Sequence, residues 1–234
     1  MDENKSPEEL KELGNNAVKE NKFEEAILYY TYAIKQDASN YALYSNRSLA
    51  FLKVKQYFFA LDDATETIRL NPTWPKGYFR KGEVEFITGR YVDAYESYAK
   101  ALELKPDDLN VRAALNRAKR HIAKERKADE TIPWLGAGIG IILGVIIVIA
   151  DCLFTYKPTH PMLMAFITII IAMVGYAVAK CYRYYIKSQR KSLLDPPIDL
   201  MPDQDVGEEN HETRTHSPRY SKSQARQRYR KGKL

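Results

Sequence analysis

Five side chains between Lys11 and Arg80 of this 234-residue chain have types and spacings suited to one task. Lys11 and Asn15 stand four apart, as do Lys76 and Arg80, so each pair shares a face wherever its segment is helical. Asn46 precedes Arg80 by 34 positions. Lysine offers a point charge, arginine a planar fork that can hold two oxygens, and asparagine a neutral amide donor. A surface that gathers all five suits a carboxylate. Two adjacent carboxylates, such as an acidic side chain beside a chain terminus, would use the whole set. Charge-assisted bonds of this kind contribute about 1.5–3 kcal/mol each. Tyr78, Phe79 and Phe51 lie near these donors and could receive an aliphatic side chain, although aromatics at such positions also serve simply as packing between helices.

No catalytic constellation accompanies the donors. The four histidines, His121, His160, His211 and His216, are scattered, and no Ser/His/Asp set, metal-ligand spacing or phosphate loop occurs. The expectation is a binding protein and not an enzyme, with no cofactor and no metal. The two cysteines, Cys152 and Cys181, lie at opposite borders of an apolar block, which excludes a disulfide scaffold or zinc site from everything that precedes it. Cys181, beside Lys180, is a position where S-acylation could occur.

The elements that must position the five donors follow from a repeating register. With repeats starting at Pro7, Tyr41 and Pro75, small residues recur at Ala26, Ala60 and Ala94, aromatics at Phe23, Tyr57 and Tyr91, and aliphatics at Ile34, Ile68 and Leu102. Pro72 and Pro106 recur near repeat ends, and Gly14 and Gly82 match with Ser48 between them. Small residues let two antiparallel helices approach, and a proline without an N–H stops the second helix. The pattern predicts three helix–turn–helix repeats, followed from Asp107-Asp108 by a capping helix with a basic end. Stacked repeats of this length build a concave surface from their first helices, and the five donors all fall on first helices.

This register resembles the tetratricopeptide repeat. The strings LKELGNNA, LYSNRSLAFL and WPKGYFRKGE are similar to the inner helices of the clamp-type co-chaperones, the family of the heat-shock organising protein and the repeat-bearing protein phosphatase. The resemblance covers residues 7–128. It implies that Lys11, Asn15, Asn46, Lys76 and Arg80 form a two-carboxylate clamp. By the same resemblance the ligand is the Glu-Glu-Val-Asp terminus of cytosolic heat-shock seventy or heat-shock ninety chaperones.

The net charge of +6 is unevenly placed. Residues 1–130 carry 22 basic and 22 acidic side chains, residues 131–191 carry 6 and 1, and residues 192–234 carry 8 and 7. This partition argues against a nucleic-acid binder. The opening MDENKSPEEL makes neither a secretory signal nor an Arg-rich transit peptide, so the repeats are expected in the cytosol. Two runs, 131–150 and 158–179, lack Asp, Glu, Lys and Arg, and each reaches the roughly 20 residues that cross a bilayer core. Transmembrane helices are expected over 132–156 and 161–184. KERK at 124–127 and Lys180, Arg183, Lys187, Arg190 and Lys191 flank the pair outside, against Lys157 in the link. The positive-inside rule then puts both termini in the cytosol. Gly136, Gly140 and Gly144 form a small-residue face, answered by Gly175 and Ala179, for helix packing within the hairpin or between copies. Residues 192–234, acidic then basic, read as a disordered tail.

The expectation is an all-α protein: three repeats with a cap, two transmembrane helices and a tail. It acts as a membrane-anchored adaptor that recruits heat-shock chaperones to a lipid bilayer, with the endoplasmic reticulum favoured over the mitochondrial outer membrane. Two alternatives stay open: a receptor for chaperone-held precursors, and a membrane-shaping hairpin with another repeat partner.

Overall fold

The computed structural model describes residues 5–154 and 160–196. Helices α1 (Pro7–Lys19), α2 (Phe23–Gln36), α3 (Tyr41–Lys53), α4 (Tyr57–Leu70), α5 (Pro75–Ile87) and α6 (Tyr91–Leu104) form three antiparallel pairs. Two long helices follow, α7 (Leu109–Phe154) and α8 (Pro161–Ser192). The described residues contain no strand, and the first helices begin at 7, 41 and 75, in the register read from the sequence.

Local chemistry sets these boundaries. Ser6 caps α1 in a capping box, accepting from the Glu9 N–H while its own N–H donates to the Glu9 carboxylate, and Pro7 occupies the first turn. The turn inside each repeat needs one left-handed residue. Asn21, Lys55 and Gly89, at equivalent repeat positions, supply it with φ of 61°, 63° and 78°. Ala26, Ala60 and Ala94 are fully buried where the helices of each pair meet.

The recurring glycines answer tyrosines. A Cβ at Gly14 would lie 2.6 Å from the ring of Tyr30, and one at Gly82 would lie 2.7 Å from the ring of Tyr98. In the middle repeat Ser48 and Ala64 take these places, and the Ser48 hydroxyl donates to the Ala60 carbonyl at 2.7 Å. The second repeat instead carries an ionic tie. Arg47 makes a bidentate pair with buried Asp63 at 2.8 Å and also donates to the Thr31 hydroxyl, joining α3, α4 and α2. In the third repeat buried Glu85 accepts from the Ser97 hydroxyl at 2.6 Å, and burial pushes its carboxyl above the usual range.

The cap and the first apolar run are one helix. The sequence reading separates a capping helix ending at 128 from a span starting at 132, but α7 runs unbroken for 46 residues, about 69 Å. No glycine or other stop signal lies between Lys119 and Ile132. Pro133, buried inside the helix, removes one backbone hydrogen bond without ending it. The N-terminal part of α7 covers the last repeat through Val111, Ala114 and Ala118. His121 packs on Tyr91 and Phe86, with ring centroids 4.8 and 5.0 Å away, so it is a packing residue.

Both α7 and α8 are long and apolar enough to cross a membrane, with mean hydropathy of 2.6 and 2.4 over their most apolar stretches. They pack on each other along the small-residue face. A Cβ at Gly136 would meet the Gly175 carbonyl and the Ala179 methyl, one at Gly140 the Ile171 carbonyl at 2.7 Å, and one at Gly144 the Thr168 side chain at 2.9 Å. The face expected to serve either the hairpin or self-association is consumed within the hairpin. Beyond the apolar stretch, Asp129 pairs with Arg183 (2.8 Å) and Lys187 (2.5 Å), and Glu125 with Arg190.

Helix α8 continues past the expected end at 184 to Ser192, and this extension returns to the repeats. The Arg190 side chain fills the space beside Gly89, where a Cβ would lie 2.7 Å from its Cδ, and its guanidinium lies 5.7 Å from the Tyr91 ring. Leu194 packs on the cluster of Leu52, Ala60 and Val84. The end of the second long helix is thus strapped to the second and third repeats. Residues 155–159, the end of the first expected span and most of the expected link, and the expected tail from 197 onward lie outside the described residues.

Candidate peptide-carboxylate site

The site sits on the first helices. Asn15 (α1), Asn46 (α3), and Lys76 and Arg80 (α5) line one cavity of about 330 Å³, together with Val18, Lys19, Tyr30 and Leu49. Three first helices deliver one or two donors each, because each repeats the orientation of the one before.

The asparagines are oriented by a relay from the core. The Tyr30 hydroxyl donates to Asn15 Oδ1 at 2.8 Å, and Asn46 Nδ2 donates to the same oxygen at 3.1 Å. With its oxygen doubly engaged, Asn15 turns its amide N–H groups to the cavity as donors. Burial pushes the Tyr30 hydroxyl up to about 12, so it remains a neutral donor at any ordinary pH.

The cations crowd one another. Partial desolvation, and then repulsion from Arg80 and Lys11, hold the Lys76 ammonium below the usual lysine range. Its Nζ lies 5.6 Å from the Trp74 ring, which itself packs edge-on against Tyr41 at 4.8 Å. Arg80 is bound through Nη1 to the Glu83 carboxylate one turn on, its side chain is only 13% exposed, and its Nε is buried with no hydrogen-bond partner. A cationic cluster with a depressed lysine is relieved by an incoming anion.

Four of the five residues anticipated from the sequence are therefore brought to one cavity. Lys11 is not among its lining; it acts on Lys76 through its charge from helix α1. None of the three aromatics considered for an aliphatic side chain lines the cavity, although the Arg80 guanidinium lies 6.0 Å from the Phe79 ring. Tyr78 and Phe79 belong to the cluster around Tyr98, with Phe79 and Tyr98 centroids 5.7 Å apart, and Phe51 packs against Phe59 at 5.4 Å. The apolar residues of the cavity are Val18 and Leu49.

A family model described as tetratricopeptide repeat matches residues 75–108. The chain is 37% identical over 110 residues to the Hsp70-Hsp90 organising protein of Plasmodium falciparum, covering 47% of this chain and 44% of that protein. Residues 75–108 are a tetratricopeptide repeat, and the two helix pairs before them keep its 34-residue register. Its repeats are also 34% identical over 128 residues to human serine/threonine-protein phosphatase 5, covering 55% of this chain and 26% of the phosphatase. The Sgt2 repeat domain from Aspergillus fumigatus superposes with a TM-score of 0.50 at 28% identity, covering 52% of this chain and 82% of that one. The chain spans less than half the length of these two curated relatives.

Sequence reasoning overlooked Tyr30 and Glu83. The signal for Tyr30 is present in the repeat register: Gly14 and Tyr30 recur two repeats later as Gly82 and Tyr98, and the glycine meets the tyrosine in both repeats. Nothing in the register points to Glu83, whose role depends on where Arg80 turns.

Proposed function

We propose that this tetratricopeptide repeat protein is a membrane-anchored co-chaperone adaptor. Its groove takes the Glu-Glu-Val-Asp terminus of cytosolic Hsp70 or Hsp90, with the two terminal carboxylates on Lys11, Asn15, Asn46, Lys76 and Arg80. The observation that carries this reading is the convergence of Asn15, Asn46, Lys76 and Arg80 on one 330 Å³ cavity without a carboxylate in its lining. The similarity to an Hsp70-Hsp90 organising protein supports the choice of chaperones over other acidic partners. Helices α7 and α8 form the anchor as a hairpin, with the repeats and the C-terminal segment on the cytosolic side, at the endoplasmic reticulum by preference. The protein recruits; it does not catalyse.

The groove works by matching charge rather than by burying area. A C-terminal aspartate presents its main-chain and side-chain carboxylates close together, and the asparagine amides reach oxygens that Lys76 and Arg80 leave free. The test is fluorescence anisotropy of a labelled Glu-Glu-Val-Asp peptide on the full-length protein in detergent. Lys76→Ala with Arg80→Ala removes two charge-assisted contacts, about 3–6 kcal/mol or more than a hundredfold in affinity. Helicity should be unchanged. Binding undiminished in the double variant, or equal binding of a peptide ending in a carboxamide, refutes the assignment.

A further inference from the structure

The hairpin's basic border is sorted into two populations. On the seam between α7 and α8, Arg183 and Lys187 are neutralised by Asp129, and Arg190 by Glu125. Arg126 pairs with Glu130 one turn away. The remaining lysines of this border, Lys124 and Lys127 on α7 and Lys180 and Lys191 on α8, are all exposed and form no ion pair with any carboxylate among the described residues. Charges placed only to hold the two helices together would be used up at the seam. These four are left over from it.

Their height is set by aromatic residues. Trp134, 72% exposed, meets Tyr176 of α8 with ring centroids 5.8 Å apart, and Lys180 Nζ lies 5.9 Å from the same Tyr176 ring. Around Trp134 the surface changes character along the helix: Glu130 and Thr131 stand on one side, Leu135 and exposed Ile139 and Ile142 on the other. Amphipathic rings at such a change mark the level of lipid headgroups. The helical rise then places Lys127 about 10 Å and Lys124 about 15 Å beyond Trp134, within the headgroup layer and its adjoining water. Lys191 follows Arg190 at the level of Glu125.

We propose that Lys124, Lys127, Lys180 and Lys191 form a collar that gathers anionic phospholipids from the leaflet facing the repeats. The inference rests on the hairpin being a membrane anchor. Four unpaired cations along two helices at the headgroup level match a diffuse layer of phosphate and carboxylate charge better than any single compact ligand, and each attracts anionic lipid through long-range charge screened beyond about 8 Å at physiological salt. By concentrating negative lipid there, the collar satisfies itself without drawing on the carboxylates of the ligand held in the groove.

The chain holds two tryptophans, so Trp74→Phe leaves Trp134 as the sole reporter. The full-length variant is reconstituted into phosphatidylcholine bilayers containing a fixed fraction of either brominated phosphatidylcholine or brominated phosphatidylserine, and quenching of Trp134 is compared. The expected result is a relative binding constant of about threefold or more for phosphatidylserine at low salt, falling toward one at high salt. Replacing the four lysines by glutamine should bring the ratio to one while quenching by brominated phosphatidylcholine persists. A ratio of one in the parent, or an unchanged preference in the glutamine variant, overturns the collar and leaves the anchor standing. Absence of quenching by either lipid overturns the anchor and the collar together. A preference that emerges only when residues 199–212 are deleted identifies the chain's own acidic segment as the occupant, and also overturns the proposal.

Discussion

Replacing Tyr30 with phenylalanine isolates the link between the core and the groove. The ring packs against Gly14, where a Cβ would find only 2.6–2.9 Å, so phenylalanine fills the same space and creates no cavity. Only the hydroxyl is lost, and with it the 2.8 Å bond to Asn15 Oδ1. A buried neutral hydrogen bond contributes about 0.5–1.5 kcal/mol net, so stability should fall by about 1 kcal/mol. Asn15 then keeps one donor, Asn46, and its amide is free to turn. If the Asn15 donors face the ligand only because Tyr30 holds them there, peptide affinity falls by about fivefold, the equivalent of about 1 kcal/mol. Tyr98 provides the internal control. It occupies the same repeat position against Gly82, but its buried hydroxyl lies beside the Arg117 guanidinium of α7 and not against a groove asparagine. Tyr98→Phe should leave binding untouched, whatever its effect on stability. Urea unfolding followed by circular dichroism and peptide titration, on full-length proteins in one detergent, measure both quantities. Equal losses of affinity in the two variants, or undiminished peptide affinity in Tyr30→Phe, would show that the relay does not orient the site.

Two further outcomes follow from the geometry. Lys76 binds a carboxylate only when protonated, and partial burial, Arg80 and Lys11 hold its ammonium below the usual lysine range. Peptide affinity should therefore be complete below that lowered value and decline as pH rises through it, earlier than an ordinary lysine would titrate, with proton uptake on binding in the same window. Calorimetry in buffers of different ionisation enthalpy reads the uptake, and Lys76→Arg should abolish the decline. At the strap, Arg190→Ala with Leu194→Ala removes the guanidinium from Glu125 and Tyr91 and the leucine from the Leu52 cluster. Amide exchange in the turn at 87–91 should accelerate roughly fivefold while α1 and α2 keep their rates, and a uniform change across all repeats would argue against a local strap.

Much of the fold was legible because a repeat protein states each contact more than once. Pro7, Tyr41 and Pro75 begin helices because the same small and aromatic positions return in each repeat, and any one repeat can be read from the others. The same register placed Asn46 and Arg80 at equivalent positions, which made a shared surface predictable before any coordinates. Legibility stopped where an interaction occurs once. Glu83 holds Arg80 by a rotamer, Tyr78 and Phe79 pack against the Tyr98 cluster and do not line the cavity, and Lys11 also remains outside its lining.

The hairpin divides in the same way. Apolar length, basic borders and a stripe of small residues are local properties of composition, and they determined two long helices able to meet closely. That the stripe is spent on α8 rather than on a second copy depended on which backbone lies within reach of Gly136, Gly140 and Gly144. The chain from 119 to 132 carries no terminating signal, yet only packing against the last repeat at one end and α8 at the other made the cap and the apolar run a single rod. Arg190 and Leu194 carry nothing in their own neighbourhood to mark them. Their partners, Glu125, Gly89, Tyr91 and Leu52, belong to helices and turns far earlier in the chain, and a contact across such a separation exists only once the intervening helices have set its geometry.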